Sequence, residues 1–307
     1  DHSLPQRGFV LPEGRMVLVL DVQTMLRSMT ERFTTSDGVR IAYHQLGAGD
    51  PAIIFIHGGF GNRTGFGFQE EYFSPNHRCV AVDLRGHGDS DKPDEIYTME
   101  QHGDDVAELI RHLGLGKPIL VGQSMGGQVI IAAAARHPEL VGAIASLDSP
   151  SNIPGWHDRH HGPFDHLMTK DQDFRETLRN FLKASYLPTD DPSRVATIAD
   201  RLAEVPDHVI LNGWEGMMGF DAGPILAGVQ CPYLYIDCGQ PDLDLDLLRE
   251  LCPQVVIGKP VGAGHKALQD VPDQINAMLN RFIQHADGIA AEMVRTGGVF
   301  QYNFPKI

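Results

Sequence analysis

The sequence predicts an α/β protein whose doubly wound, mostly parallel sheet is interrupted by one helical insertion. Two observations carry this. Short, largely apolar runs recur along the chain: Ala52–Ile56, Arg78–Val82, Ile119–Val121, Ala143–Leu147, Tyr233–Ile236 and Val255–Ile257. Strands buried on both faces read this way, whereas strands with one wet face alternate. Segments with helical spacing separate the runs, as a parallel sheet requires for its crossovers.

The elements follow in order. Residues 1 to about 30 fall outside the rhythm and are expected to form an N-terminal extension. Met16–Leu20 is apolar but short, Asp21 follows it, and it does not have the pattern of a signal peptide. Arg32–Thr35 and Val39–Tyr43 flank Asp37-Gly38, which is a hairpin signal. Met99–Leu113 places Val106, Leu109, Ile110 and Leu113 on one helical face, and an alanine-rich helix is expected over Gln128–His137. From 151 to 228 no buried-strand run occurs, and prolines punctuate helical stretches. This segment is the insertion, leaving 31–150 and 229–286 as the core. Asp273–Ile283 closes the core with a helix, and 287–307 reads as a C-terminal extension.

Composition narrows the function classes. With 25 Lys and Arg against 40 Asp and Glu, the net charge of −15 opposes unaided binding to nucleic acid or anionic membrane. No eighteen-residue apolar run suggests a membrane span. Cys79, Cys231, Cys238 and Cys252 lack CxxC spacing, so reduced structural thiols in a cytoplasmic protein are expected. His157, His160, His161, Asp165 and His166 cluster in the insertion, but their spacing fits a polar loop better than a metal site.

Three glycine-rich turns carry the chemistry. Gly122-Gln123-Ser124-Met125-Gly126-Gly127 lies between a buried strand and a helix. A sharp strand-to-helix turn presents its central hydroxyl at the carboxyl end of the sheet, and Ser124 is the candidate nucleophile. His57-Gly58-Gly59-Phe60-Gly61 follows another strand. The N–H of Gly59, or of Phe60, could join that of Met125 to hold an oxyanion. Gly262-Ala263-Gly264-His265 follows the last strand and supplies the base a serine needs.

Taken in order with Asp83-Leu84-Arg85-Gly86-His87-Gly88-Asp89-Ser90, these turns resemble the α/β-hydrolase family over residues 30 to 285. The resemblance implies an eight-stranded sheet, a helical cap formed by 151–228, a small-molecule substrate and no cofactor. It implies two-step acyl transfer on a carboxylic ester or lactone. Carbon–carbon bond hydrolysis and cofactor-free perhydrolysis stay open, as does a ligand receptor with vestigial hydrolysis. Serine at the turn disfavours epoxide and haloalkane chemistry, for which the family uses aspartate. The acid of the triad is expected after Tyr233–Ile236, where Gly239-Gln240-Pro241-Asp242 favours Asp242 among the crowding Asp237, Asp244 and Asp246. Asp148, at the end of Ala143–Leu147, is the alternative. Phe60, Trp156, Trp214 and Met218 are the candidate walls of an apolar pocket. Self-association is left open.

Overall fold

The computed structural model describes residues 7–10, 16–19, 30–150, 174–184, 186–188, 190–191, 202, 205–239 and 244–296. Strands β1 (Arg7–Val10) and β2 (Met16–Val19) pair antiparallel in a small sheet of their own. These two strands lie within the segment expected only as an N-terminal extension.

The main sheet has eight strands. These are β3 (Glu31–Thr34), β4 (Arg40–Leu46), β5 (Ile53–Ile56), β6 (Cys79–Val82), β7 (Ile119–Gln123), β8 (Ala143–Leu147), β9 (Tyr233–Ile236) and β10 (Val255–Gly258). Their spatial order is β10-β9-β8-β7-β5-β6-β4-β3. Only the pairings of β3 with β4 and β4 with β6 are antiparallel; the rest are parallel. The hairpin turns at Gly38, whose φ of 91° suits glycine.

Side-chain alternation divides the core in two. Ile54, Ile56, Val80, Val82, Leu120 and Ile144 face one side, where they meet helices α2 (Met99–His112) and α3 (Met125–Arg136). Ile53, Phe55, Cys79, Ala81, Val121 and Leu147 face the other, against α1 (Gly67–Phe73) and the helix closing the chain. Because the central strands β5 to β9 are covered on both sides, they read as almost continuous apolar runs, unlike the edge strand β3. Thr98 starts α2 by accepting the Gln101 N–H.

Between β8 and β9 the described residues include helices α4 (Phe174–Ala184) and α5 (Asp207–Gly219). Leu178, Leu182, Leu202, Ile210, Trp214 and Met218 form a third cluster, and Phe60 packs on it. Helix α6 (Leu245–Leu251) precedes β10. The closing helix, α7, runs Pro272–Thr296, well beyond the Ile283 expected. A glycine costs a helix about 1 kcal/mol, so Gly288 alone does not end one whose flanks hold Ala286, Ala290 and Ala291. Among the described residues no helix is long and apolar enough to cross a membrane.

The chain order reverses beside β5, with β6 on one side and β7 on the other. The crevice at the carboxyl ends of β5 and β7 is therefore the place where such sheets bind ligands. The turns at His57 and Ser124 both open there.

Candidate active site

Ser124 sits between β7 and α3 with φ 53° and ψ −122°, a conformation an L-residue adopts only at a cost. Its N–H donates to the Leu147 carbonyl at 2.9 Å and its carbonyl accepts from Gly127 at 2.8 Å, so the turn is held from both ends. The flanking glycines are steric necessities. A methyl on Gly122 would lie 2.2 Å from the Gly126 carbonyl oxygen, and one on Gly126 would lie 2.2 Å from that of Ile56. Helix α3 can therefore start directly against the backbone of β5, with Met125 as its first residue.

The turn after β5 reaches the same point. A Cβ at Gly58 would fall 3.0 Å from the Ser124 Cβ, and one at Gly59 3.9 Å from the Met125 sulfur. Phe60 has φ 60°, and the Gly61 N–H donates to the Gly58 carbonyl at 3.1 Å. Gly59 and Met125, the expected oxyanion donors, are thus neighbours.

His265 follows β10, and its side chain is 15% exposed. Its Nδ1 lies 2.7 Å from Asp148 Oδ2. The other carboxylate oxygen of Asp148 accepts the Cys238 N–H at 3.2 Å. Asp148 is buried at the end of β8, with φ 46°. Burial holds the His265 imidazole below its ordinary value of 6.5; Asp148 opposes that shift, and Lys266 adds to it. The ring is consequently neutral at pH 7, with Nδ1 protonated toward the carboxylate and Nε2 carrying the lone pair.

The other acids of the β9 loop are engaged elsewhere. Asp237 accepts from Gly239 at 2.7 Å and pairs with Lys259 at 2.8 Å. Asp244 caps α6 through the Leu247 N–H, and Asp246 pairs with Arg249. Asp242 lies outside the described residues, as do Trp156 and the histidines of the insertion from His157 to His166. Among the described residues no three His, Cys, Asp or Glu side chains are arranged to hold a metal ion. Trp214 and Met218 are buried together, and Phe60 of the turn after β5 packs against their cluster.

The Asp83–Ser90 segment is a scaffold buried except at Gly88 and Asp89. Asp83 takes the Arg63 N–H at 2.6 Å and pairs with the Arg63 guanidinium, which also reaches Asp89 at 2.7 Å. Arg85 forks onto Asp105, with both bonds at 2.7 Å. Ser90 donates to the Asp83 carbonyl and accepts from Ala42. Arg63 had no signal in the sequence reading, because its partners lie twenty or more residues away. The sequence marks Gln123 only as part of the turn, yet its amide nitrogen contacts His265.

Three histidines line up beneath the site. The rings of His57 and His87 are 5.0 Å apart and those of His87 and His102 6.3 Å apart, all buried. His57 Nδ1 donates to the Gly58 carbonyl while Nε2 accepts from Leu84, which fixes a neutral ring. Burial pushes His57 down to about 4, His87 down to about 3, and His102 well below 6.5. An unfolded chain protonates all three near 6.5, so it binds more protons than the folded one below that pH. Their stabilising contribution is complete above 6.5 and is lost as pH falls toward 4 and 3, by up to about 1.4 kcal/mol per histidine per pH unit. Urea unfolding is expected to show several kcal/mol less stability at pH 5 than at pH 7. A flat profile over that range would contradict a buried neutral row.

Comparison with known proteins bears on the fold. A family model for the alpha/beta hydrolase fold matches residues 51–207, about half the chain. The 2-(acetamidomethylene)succinate hydrolase of Mesorhizobium japonicum is 41% identical over 98 residues, covering 32% of this chain and only 35% of that protein's length. A thermophilic esterase structure from Thermogutta terrifontis matches with a TM-score of 0.73 at 21% identity, covering 84% of this chain and 98% of that one. The enol-lactonase structure from Burkholderia xenovorans matches with a TM-score of 0.72 at 20% identity, covering 83% and 100%. At such identities the two structures speak for the fold alone, and the family match over residues 51–207 carries the assignment: the chain belongs to the α/β-hydrolase fold family.

Proposed function

We propose that this protein is a serine hydrolase that cleaves a carboxylic ester or lactone through an acyl-enzyme. The observation that carries the reading is the 2.7 Å contact between His265 Nδ1 and Asp148, made beside the strained turn at Ser124. In this reading Ser124 Oγ attacks the carbonyl carbon as its proton passes to His265 Nε2. Asp148 holds the ring in the required tautomer and stabilises the imidazolium that forms. The N–H groups of Met125 and Gly59 hold the oxyanion, each worth about 3 kcal/mol in sites of this kind. Collapse expels the alcohol, which takes the proton from His265. Water, deprotonated by the same ring, then attacks the acyl carbon and releases the acid and Ser124. A lactone follows the same course, with alcohol and acid joined in one product.

Phe60, Trp214 and Met218 would form part of an apolar acyl or alcohol pocket, with the helices between β8 and β9 as its cap. The fold itself is one on which esterases and lactonases are built. The test is labelling by a fluorophosphonate, followed by turnover on esters and lactones of graded acyl size. Label on Ser124 and turnover that varies with acyl size are expected. Label without turnover on any ester or lactone would instead favour a ligand receptor.

A further inference from the structure

Strand β7 ends on Gln123, which is buried at the base of the nucleophile turn. Its amide nitrogen lies 3.1 Å from the carbonyl oxygen of His265 and 3.2 Å from Nε2 of the same residue. A backbone carbonyl can only accept, so the amide face turned toward His265 must be NH2. One hydrogen serves the carbonyl. The other is directed at Nε2, which is the unprotonated nitrogen because Nδ1 donates to Asp148. The amide oxygen points toward the turn after β5, where a methyl on Gly58 would come within 2.5 Å of it. One side chain therefore touches all three turns of the site.

We propose that Gln123 is a positioning residue that clamps the His265 loop to the nucleophile turn and caps the basic ring nitrogen until the proton moves. The inference rests on the triad reading above. The lone pair that Gln123 caps is the one that must receive the proton of Ser124. Once Nε2 carries that proton, two N–H groups face each other at a hydrogen-bond distance and repel. The amide must then swing off Nε2 or turn its oxygen toward it. Gln123 thus favours the neutral ring, in the same direction as burial. The charged groups acting on the ring are Asp148, from the end of β8, and Lys266, on its own loop. Neither is altered by changing Gln123.

The rate of fluorophosphonate labelling at Ser124, measured from pH 4 to 9, reads the protonation of His265 without a natural substrate. In the wild type the acid limb should have its midpoint below 6.5, since only the neutral ring activates Ser124. Gln123→Met keeps the length but removes the donor, and is expected to raise the midpoint by about 0.5–1 pH unit. Gln123→Glu keeps the shape but offers an acceptor to the charged ring. It should slow labelling at pH 7 by about tenfold or more, with recovery toward pH 9. A residue that only fills space would slow labelling equally at every pH. If Gln123→Met does not fold, as judged by its thermal melt, Gln123→Asn withdraws the same contact and should shift the limb the same way. A variant midpoint equal to that of the wild type overturns the clamp while leaving the triad reading standing. Absence of Ser124-dependent labelling in the wild type overturns both.

Discussion

Replacing Ser124 with alanine is expected to abolish ester hydrolysis while leaving the fold intact. The hydroxyl is the proposed point of covalent attachment, and losing a nucleophile of this type costs about 10⁶-fold in the best-measured serine hydrolase. Alanine keeps a Cβ in the same strained backbone at φ 53°, so the thermal midpoint should scarcely move. Ser124→Gly separates chemistry from strain. It should be equally inactive yet more stable by about 1 kcal/mol, because glycine adopts this conformation without a Cβ clash. Purified Ser124→Ala that retains more than about 1% of wild-type turnover would remove Ser124 from the mechanism, since a lost nucleophile leaves far less.

Asp148→Asn is expected to lower kcat by about 10⁴-fold, the effect of the same change in the best-studied triad. The geometry explains why the amide cannot substitute. Both carboxylate oxygens of Asp148 accept, one from His265 Nδ1 and one from the Cys238 N–H. Asparagine has one acceptor oxygen and one donor nitrogen. If the nitrogen turns to His265, it favours the tautomer with Nε2 protonated, which cannot take a proton from Ser124. If it turns to Cys238, it faces another donor in a buried site, which costs about 1–3 kcal/mol. Asp242→Asn should cost much less. Steady-state kinetics on one activated ester compares the two variants directly, and the reverse ranking would move the acid to the loop after β9.

The centre of the sheet was legible because its strands, β5 to β9, are buried on both faces. Tyr233–Ile236 and Ala143–Leu147 have the boundaries that their apolar runs suggested. Helix boundaries were less so. Helix α3 begins at Met125 rather than Gln128, since glycines that weaken a helix locally are here required by close packing, Gly126 on β5 and Gly127 on Ser146 of β8 and on Ser149. Helix α7 outran its apolar stripe, because helical propensity continues after the face that packs on the sheet has ended.

The site divides along the same line. The sequence by itself determined the glycine-rich turns, the nucleophile candidate within one and the histidine candidate within another, because each turn is a local device of a few consecutive residues. Tertiary structure decided which groups meet His265. Asp148 lies 117 positions away in the chain, yet touches the ring because β8 stands between β7 and β9 in the sheet. The loops at the carboxyl ends of neighbouring strands converge on one crevice whatever their separation in sequence. The same convergence brings Gln123 to the ring, 142 positions distant. Spacing along the chain carries no information about such contacts, because strand order in the sheet, not chain order, sets which loops are neighbours.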